Sequence, residues 1–328
     1  MKKAISILLI LAMLLVTVVA CDKKEDPAVD DTFKIAMMLP GVINDGGWNA
    51  MAYAALQEAE KEFDADVSYT ENVTQNDQVR IARQYVDQGY DVIIGHGFEF
   101  GDSLTQVADE FPDTYFINYG GGVSNGKNLG SVQYAYGECG ALAGVLIGMS
   151  DNISKVSVLM AMENPTGMQE MKNTEITAKK YNPDLEFSYS FTGDWNDISL
   201  AKEAALASLA NGADIVISDL SGPIDGIVQA CQEYDAMYYV VTFDGYDKDP
   251  SLVLGSSVHD ATKATLASLQ MVLDDEFTGE IYPFGIESGV MYMGKFGPTV
   301  TDEMADEVAK VQAEIVAGEY ELEILLDN

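Results

Sequence analysis

Four short stretches of the sequence combine side chains that hydrogen-bond with side chains that stack: NDGGWN (44–49), GHGFEF (95–100), TGDWND (192–197) and FDGYD (243–247). The rings of Trp, Phe and Tyr stack on a planar ligand, while Asp and Asn accept and donate at its edge. One such stretch alone would read as an ordinary turn, because turns are rich in Asp, Asn and Gly. Four of them, each with an aromatic, suggest the walls of a cleft for a planar, hydrogen-bonding small molecule. The first also sets Trp48 beside Asn49, a large flat ring next to a bidentate amide.

Other chemistries find little support. The chain has two histidines, His96 and His259, and neither HExxH nor CxxC spacing, so no metal site and no cofactor are expected. It has no GxSxG elbow and no GxxxxGK loop, and the glycines of GVINDGG do not fit the dinucleotide fingerprint. His96 follows a strand, where it serves equally well as a turn residue or a ligand contact. Asp244 has only Asp247 as a nearby carboxylate, and DGYD is commoner as a turn than as an acid–base pair. No nucleophile–base set is present, so an enzyme is not expected.

The elements around these stretches alternate. FKIAMMLP reads as a buried strand. It is followed by a Gly-rich loop and then a helix whose Ala50, Tyr53, Ala54, Leu56 and Ala59 recur at helical spacing. Strands at 67–73, 90–98 and 114–122 alternate with helices at 75–89 and 102–112, the latter with Asp102 at its N-cap. Residues 128–150 give a short strand and an apolar, Gly- and Ala-rich helix. The count then restarts, with strands at 155–162, 185–193, 213–222 and 237–247 and helices at 168–183, 198–212 and 223–235. Strict alternation implies parallel sheets with helices on both faces, and two runs imply two doubly wound lobes. The leftover elements after residue 250 are expected to return to both lobes through several hinge strands. The boundaries expected are 33–131 with 257–290 for the first lobe and 132–256 with 291–328 for the second. In such sheets ligands bind outside the carboxyl ends of the strands, near helix N-termini, which is where the four stretches fall.

The chain has 328 residues, 48% of them hydrophobic, and a formal charge of −35. It can bury a sizeable core, so the charge belongs to a solvated surface and not to disorder. Nucleic acid and polyanionic substrates are poor partners for so acidic a chain. Residues 1–20 read as a signal peptide: Lys2 and Lys3, then an apolar run too short to span a membrane, then VVA before Cys21. The ending resembles a bacterial lipobox, in which Cys21 would be lipidated. Residues 21–32 then read as a flexible tether, which would leave the protein anchored on the extracytoplasmic face of the cell membrane. Cys139 and Cys231 lie in helical, partly apolar patterns and are expected to be buried free thiols.

Several words of the sequence go further. GVINDGGWN (41–49), TENV (70–73), QGYDVIIGHGF (88–98), EFPDTYF (110–116), TGDWND (192–197) and NGADIVISD (211–219) occur in an order that resembles the basic membrane protein family. The resemblance covers residues 33–297. Its members are lipoproteins similar to purine nucleoside receptors. The resemblance implies a type I periplasmic binding protein fold that captures a purine nucleoside or purine base between two lobes and delivers it to an ABC permease. Carried over by position, Asn44, Asp45, Trp48 and Asn49 come from the first loop. Gly97 and Phe98 match the loop whose ring stacks on the base, Trp195 matches an aromatic opposite it, and Asp244 matches the residue that takes ribose hydroxyls. The sequence departs from the nucleoside-binding pattern in having NDGGWN for DxSFN, and His259 where a Lys is usual. That leaves adenine or hypoxanthine open beside a nucleoside. Some relatives are regulatory, so a sensor of the same fold is the alternative.

Overall fold

The computed structural model describes residues 32–220 and 224–323. The stretch expected to be a signal peptide, Cys21 and nearly all of the expected tether lie outside the described residues. Six strands form the first sheet: β1 (Lys34–Met38), β2 (Asp66–Thr70), β3 (Val92–His96), β4 (Tyr115–Tyr119), β5 (Leu129–Tyr134) and β11 (Ile281–Phe284). Their order is β11-β5-β4-β3-β1-β2, and every pairing is parallel. The second sheet holds β6 (Lys155–Met160), β7 (Glu186–Phe191), β8 (Ile215–Asp219), β9 (Met237–Thr242), β10 (Val253–His259) and β12 (Met291–Met293). Its order is β12-β10-β9-β8-β6-β7, parallel except for the antiparallel edge strand β12. Both sheets therefore start from the same doubly wound order. The central strands are buried along their length, as VIIGH in β3 shows, because helices cover both faces.

The helices are α1 (Trp48–Phe63), α2 (Gln78–Asp87), α3 (Gly101–Ala108), α4 (Tyr136–Gly148), α5 (Pro165–Tyr181), α6 (Ile198–Ala210), α7 (Ile224–Tyr234), α8 (Ala261–Leu273) and α9 (Asp302–Val316). Side-chain caps fix four of the starts. Asn164 accepts from Gly167 N–H at 2.8 Å, Asp197 from Leu200 N–H at 2.9 Å, Asp260 from Lys263 N–H at 2.9 Å and Thr301 from Met304 N–H at 3.2 Å. Asp102 is not a cap: α3 begins one residue earlier, after a 3-10 turn at Phe98–Phe100, and Asp102 sits in its first turn. A carboxylate there still complements the helix dipole.

The chain crosses between the sheets after β5, after β10 and after β11. The expected cuts at 131/132 and 256/257 fall inside β5 and β10, because each strand continues for a few residues toward its crossing. Helix α8 packs on α1, beside the first sheet. Helix α4 is apolar almost all round and nearly every residue of it is buried, so it lies inside the protein rather than on its surface. It packs on α5 and α9. One contiguous apolar cluster runs from Ile35 and Ile94 in the first sheet through Leu142 and Leu146 of α4 to Val158 and Ile217 in the second. Cys139 and Cys231 are buried and unpaired.

The contact between α4 and α5 is made by glycines. A Cβ on Gly140 would strike the carbonyl of Glu170, one on Gly144 would lie 2.6 Å from the Thr174 carbonyl, and one on Gly148 2.5 Å from the Ala178 carbonyl. The i, i+4 spacing of these residues puts them on one stripe of α4, and without side chains there the two backbones approach closely.

Candidate functional site

In each sheet the connections reverse direction at one point, between β1 and β3 and between β6 and β8. Such reversals open a crevice at the carboxyl ends of the strands. The two crevices face one cavity of about 360 Å3, within the ~300–1,000 Å3 range of small-molecule sites. The loop after β1 contributes Gly41, Asp45, Trp48 and Asn49, and the loop after β3 contributes Gly97, Phe98 and Glu99. From the second sheet come Met162 and Asn164 after β6, Asp219 at the end of β8, Val241 and Thr242 at the end of β9, and His259 at the end of β10. Trp195, Tyr136, Thr166 and Glu170 also line the walls.

The first loop is built by its own polar side chains. Asp45 accepts from the backbone N–H groups of Gly47, Asn49 and Ala50 at 2.9–3.0 Å. The Asn49 amide donates to Asp45 Oδ2 at 2.7 Å and accepts from Gly41 N–H at 3.2 Å. These bonds satisfy donors at the start of α1 that the helix cannot satisfy itself. The amide expected to grip a ligand thus spends most of its capacity on the loop. Asn44 is exposed and does not line the cavity.

A run of rings backs this wall. Trp48 stacks on His96 with centroids 4.1 Å apart and meets the edge of Tyr134 at 6.3 Å. Tyr134 stacks on His259 at 5.3 Å, and Tyr136 meets the same imidazole edge-on at 5.2 Å. His96 does not line the cavity. Its Nε2–H donates to the Trp48 carbonyl at 3.1 Å, so it braces the tryptophan from behind. Burial lowers its pKa to about 4, with the bond to Trp48 pulling weakly the other way. It is a neutral, structural histidine at neutral pH.

Asp244 lies outside the cavity. It follows β9, and its oxygens accept from the N–H groups of Tyr246 at 3.0 Å and Lys295 at 3.2 Å. The carboxylate therefore joins its own turn to the segment after β12. The cavity takes Val241 and Thr242, at the tip of the strand, instead. Thr242 has φ +90°, a conformation costly for a β-branched residue.

Two acidic groups that were not expected at the site stand in the cavity wall, Glu170 on α5 and Asp219, the last residue of NGADIVISD, at the tip of β8. Burial first, and then the negative Glu170 beside it, push the Asp219 carboxyl well above the usual carboxylate range. Burial also raises Glu99. No Lys or Arg lines the cavity. No group of His, Cys, Asp and Glu among the described residues could hold a metal ion. The arrangement can stack a flat ring at one end and accept hydrogen bonds at the other.

Comparison with known proteins places the chain. A family model described as ABC transporter substrate-binding protein PnrA-like, the Bmp family, matches residues 32–324. A Haloferax volcanii protein named as an ABC transporter glucose-binding protein, TsgA13, is 26% identical over 302 residues, 90% of this chain and 75% of that one. The transcriptional activator protein med of Bacillus subtilis is 26% identical over 284 residues, 85% of this chain and 87% of that one. The ABC transporter nucleoside-binding protein BmpA of Lactococcus lactis is 23% identical over 298 residues, 84% of each chain. Among solved structures, an ABC transporter solute-binding protein from Aeropyrum pernix K1 shares the fold with a TM-score of 0.82 at 17% identity, covering 90% of this chain and 94% of that one. With the family model spanning both lobes and the fold matching in kind, the chain belongs to the Bmp family of ABC transporter substrate-binding proteins.

Proposed function

We propose that the protein captures a purine nucleoside or purine base between its lobes and delivers it to an ABC permease, held at the extracytoplasmic face of the membrane through a lipidated Cys21. The observation that carries this reading is aromatic. Phe98, from the first lobe, is 47% exposed yet lines the cavity, and Trp195, from the second, lines it as well. An exposed phenyl ring facing a cavity is costly to leave uncovered, and a planar ligand covers it. Rings supplied by opposite lobes would also couple binding to closure, since a ligand that touches both lobes favours the closed arrangement. The nucleoside-binding relative from Lactococcus lactis supports the same class of ligand.

The test is mass spectrometry of the small molecule that co-purifies, followed by calorimetric titration of that molecule. A purine or purine nucleoside is the expected result. A hexose, as in the name of the Haloferax volcanii relative, would overturn the purine reading.

A second reading is favoured by the Bacillus subtilis relative, which is named as a transcriptional activator. In it the same captured ligand would be sensed rather than transported. Uptake of labelled purine by cells that carry or lack the protein separates the two: uptake that depends on the protein supports transport, and unchanged uptake supports sensing.

A further inference from the structure

Glu170 and His259 stand together in the cavity wall and leave each other unfinished. Glu170 is 1% exposed and His259 2%. The His259 Nε2 lies 3.4 Å from Glu170 Oε2, off the hydrogen-bonding line. Neither carboxylate oxygen and neither ring nitrogen has a hydrogen-bond partner among the described residues. The pair also joins two elements: His259 closes β10, where the chain leaves the second sheet for α8, and Glu170 belongs to α5. The other histidine shows what the partner decides. His96 is as deeply buried, but its Nε2–H donates to a carbonyl, and it stays neutral. His259 faces a carboxylate, a partner that favours a charged imidazole.

The groups around the pair cannot balance its charge. Tyr134 from β5 and Tyr136 from α4 pack on the imidazole, while Cys139 from α4 and Tyr239 from β9 feel the Glu170 charge. Burial pushes all four upward, so they stay neutral at physiological pH. Asp219 and Asp260 are acids and add no positive charge, and Asp260 is spent on its helix cap, accepting from Lys263 N–H at 2.9 Å. No Lys or Arg lines the walls. A carboxylate keeps its charge only where water or a donor meets it, and a ligand that fills the cavity takes the place of water. In the neutral ring with its proton on Nδ1, Nε2 turns a lone pair toward an oxygen that also only accepts. A second proton on the ring turns that contact of two acceptors into a charge-assisted hydrogen bond.

We propose that Glu170 and His259 form a proton site coupled to capture: as the cavity closes on an uncharged ligand, His259 Nε2 takes one proton from solvent and donates it in a hydrogen bond to Glu170 Oε2. The new N–H bond breaks again when the ligand leaves, and the proton returns to solvent. For its ligand the proposal rests on the purine reading above, to which it adds pH as a control on capture. The sign follows from linkage. The filled state holds the proton more tightly than the empty one, so affinity is greatest at low pH and falls as pH rises.

The test is calorimetric titration of adenosine and of adenine into the full chain, in mildly acidic and mildly alkaline solution, each in two buffers of different protonation enthalpy. In alkaline solution the difference between buffers should report uptake of about one proton per ligand, with affinity falling by up to about tenfold per pH unit. Glu170→Gln should abolish both the uptake and the slope. Nitrogen NMR of labelled histidine in His96→Gln, where His259 is the remaining signal, should show the ring moving toward imidazolium as adenosine is added at fixed alkaline pH. Binding of either ligand without proton uptake or pH slope overturns the proton site and leaves the purine reading standing. So does an uptake that Glu170→Gln retains in full. If neither ligand binds, the purine reading falls and the ligand-free chain decides. Denaturant titrations of the wild type, Glu170→Gln, His259→Gln and the double variant should then show the two residues coupled in acidic solution and uncoupled in alkaline solution. Additive effects in both overturn the proton site.

Discussion

The two walls of the cavity use acidic residues in opposite ways. In the first lobe, Asp45 accepts three backbone N–H groups and the Asn49 amide, so its charge is absorbed by the loop. In the second, neither Glu170 nor Asp219 receives a hydrogen bond among the described residues. The contrast recurs within α5. Glu175, one turn and a half beyond Glu170, is bound by Lys172 at 3.1 Å, Lys179 at 2.7 Å and the Tyr189 hydroxyl at 2.8 Å, and these donors hold its pKa near 2. A carboxylate that builds the fold arrives with its donors, and one that serves a ligand waits for them. The first wall is thus a finished surface of rings and the second an unfinished one of acceptors.

If the first wall is finished, damage to it should spread into the fold. Trp48→Ala removes the ring that stacks on His96 and meets Tyr134, and should cost about 3 kcal/mol of stability in a denaturant titration. Unchanged stability would mean that the ring serves only a ligand. His96 behind it gives a pH test of comparable size. Its native pKa of about 4 lies below the ordinary 6.5, so the unfolded chain binds the extra proton first as pH falls. The stabilising contribution is full above pH 6.5 and is lost as pH falls toward 4, reaching about 3 kcal/mol over that window. Denaturation curves taken across it should show that slope, and His96→Gln should flatten it.

Phe98 separates stacking on a ligand from stacking within the protein. Being half exposed, it should cost no stability as Phe98→Ala, yet weaken purine binding by about 1–3 kcal/mol, the range for base–aromatic stacking. Asp244→Asn sharpens the contrast from the other side. It disturbs two backbone hydrogen bonds, worth about 1 kcal/mol of stability, and should leave purine affinity unchanged. The smallest effect carries an unusual sign. Asp219→Asn removes a carboxyl that burial disfavours, so in the absence of ligand its melting temperature at neutral pH should rise. A fall would mean that Asp219 has a partner in the fold.

The reach of the sequence can be traced residue by residue. The alternation of apolar strands with periodic helices gave both sheets, and the apolar strands ending in NDGGWN and GHGFEF located the first wall, because a strand followed by Gly and a helix places its loop at a crevice. The same rule misled at FDGYD. That strand also ends in a loop, and Val241 and Thr242 at its tip do reach the cavity, but Asp244 is turned to the N–H groups of Tyr246 and of Lys295, 51 residues away, and such a long-range partner is a fact that no local pattern carries. Asp219 had a local signal, an acidic residue closing the apolar run ADIVIS. Glu170 had none. The stretch 168–183 reads only as a helix, and the burial of Glu170 on it comes from the close packing of α4 on α5.

That packing has a consequence for how such a protein could change what it carries. The three glycines of α4 act as a spacer of zero thickness, and Glu170 stands where it does because no methyl group separates the helices at Gly140, Gly144 or Gly148. One methyl added at any of them would have to push α5 outward and carry Glu170 with it. The capture chemistry is therefore adjustable from a position that no ligand ever touches, and two descendants could share every lining residue while differing in cargo.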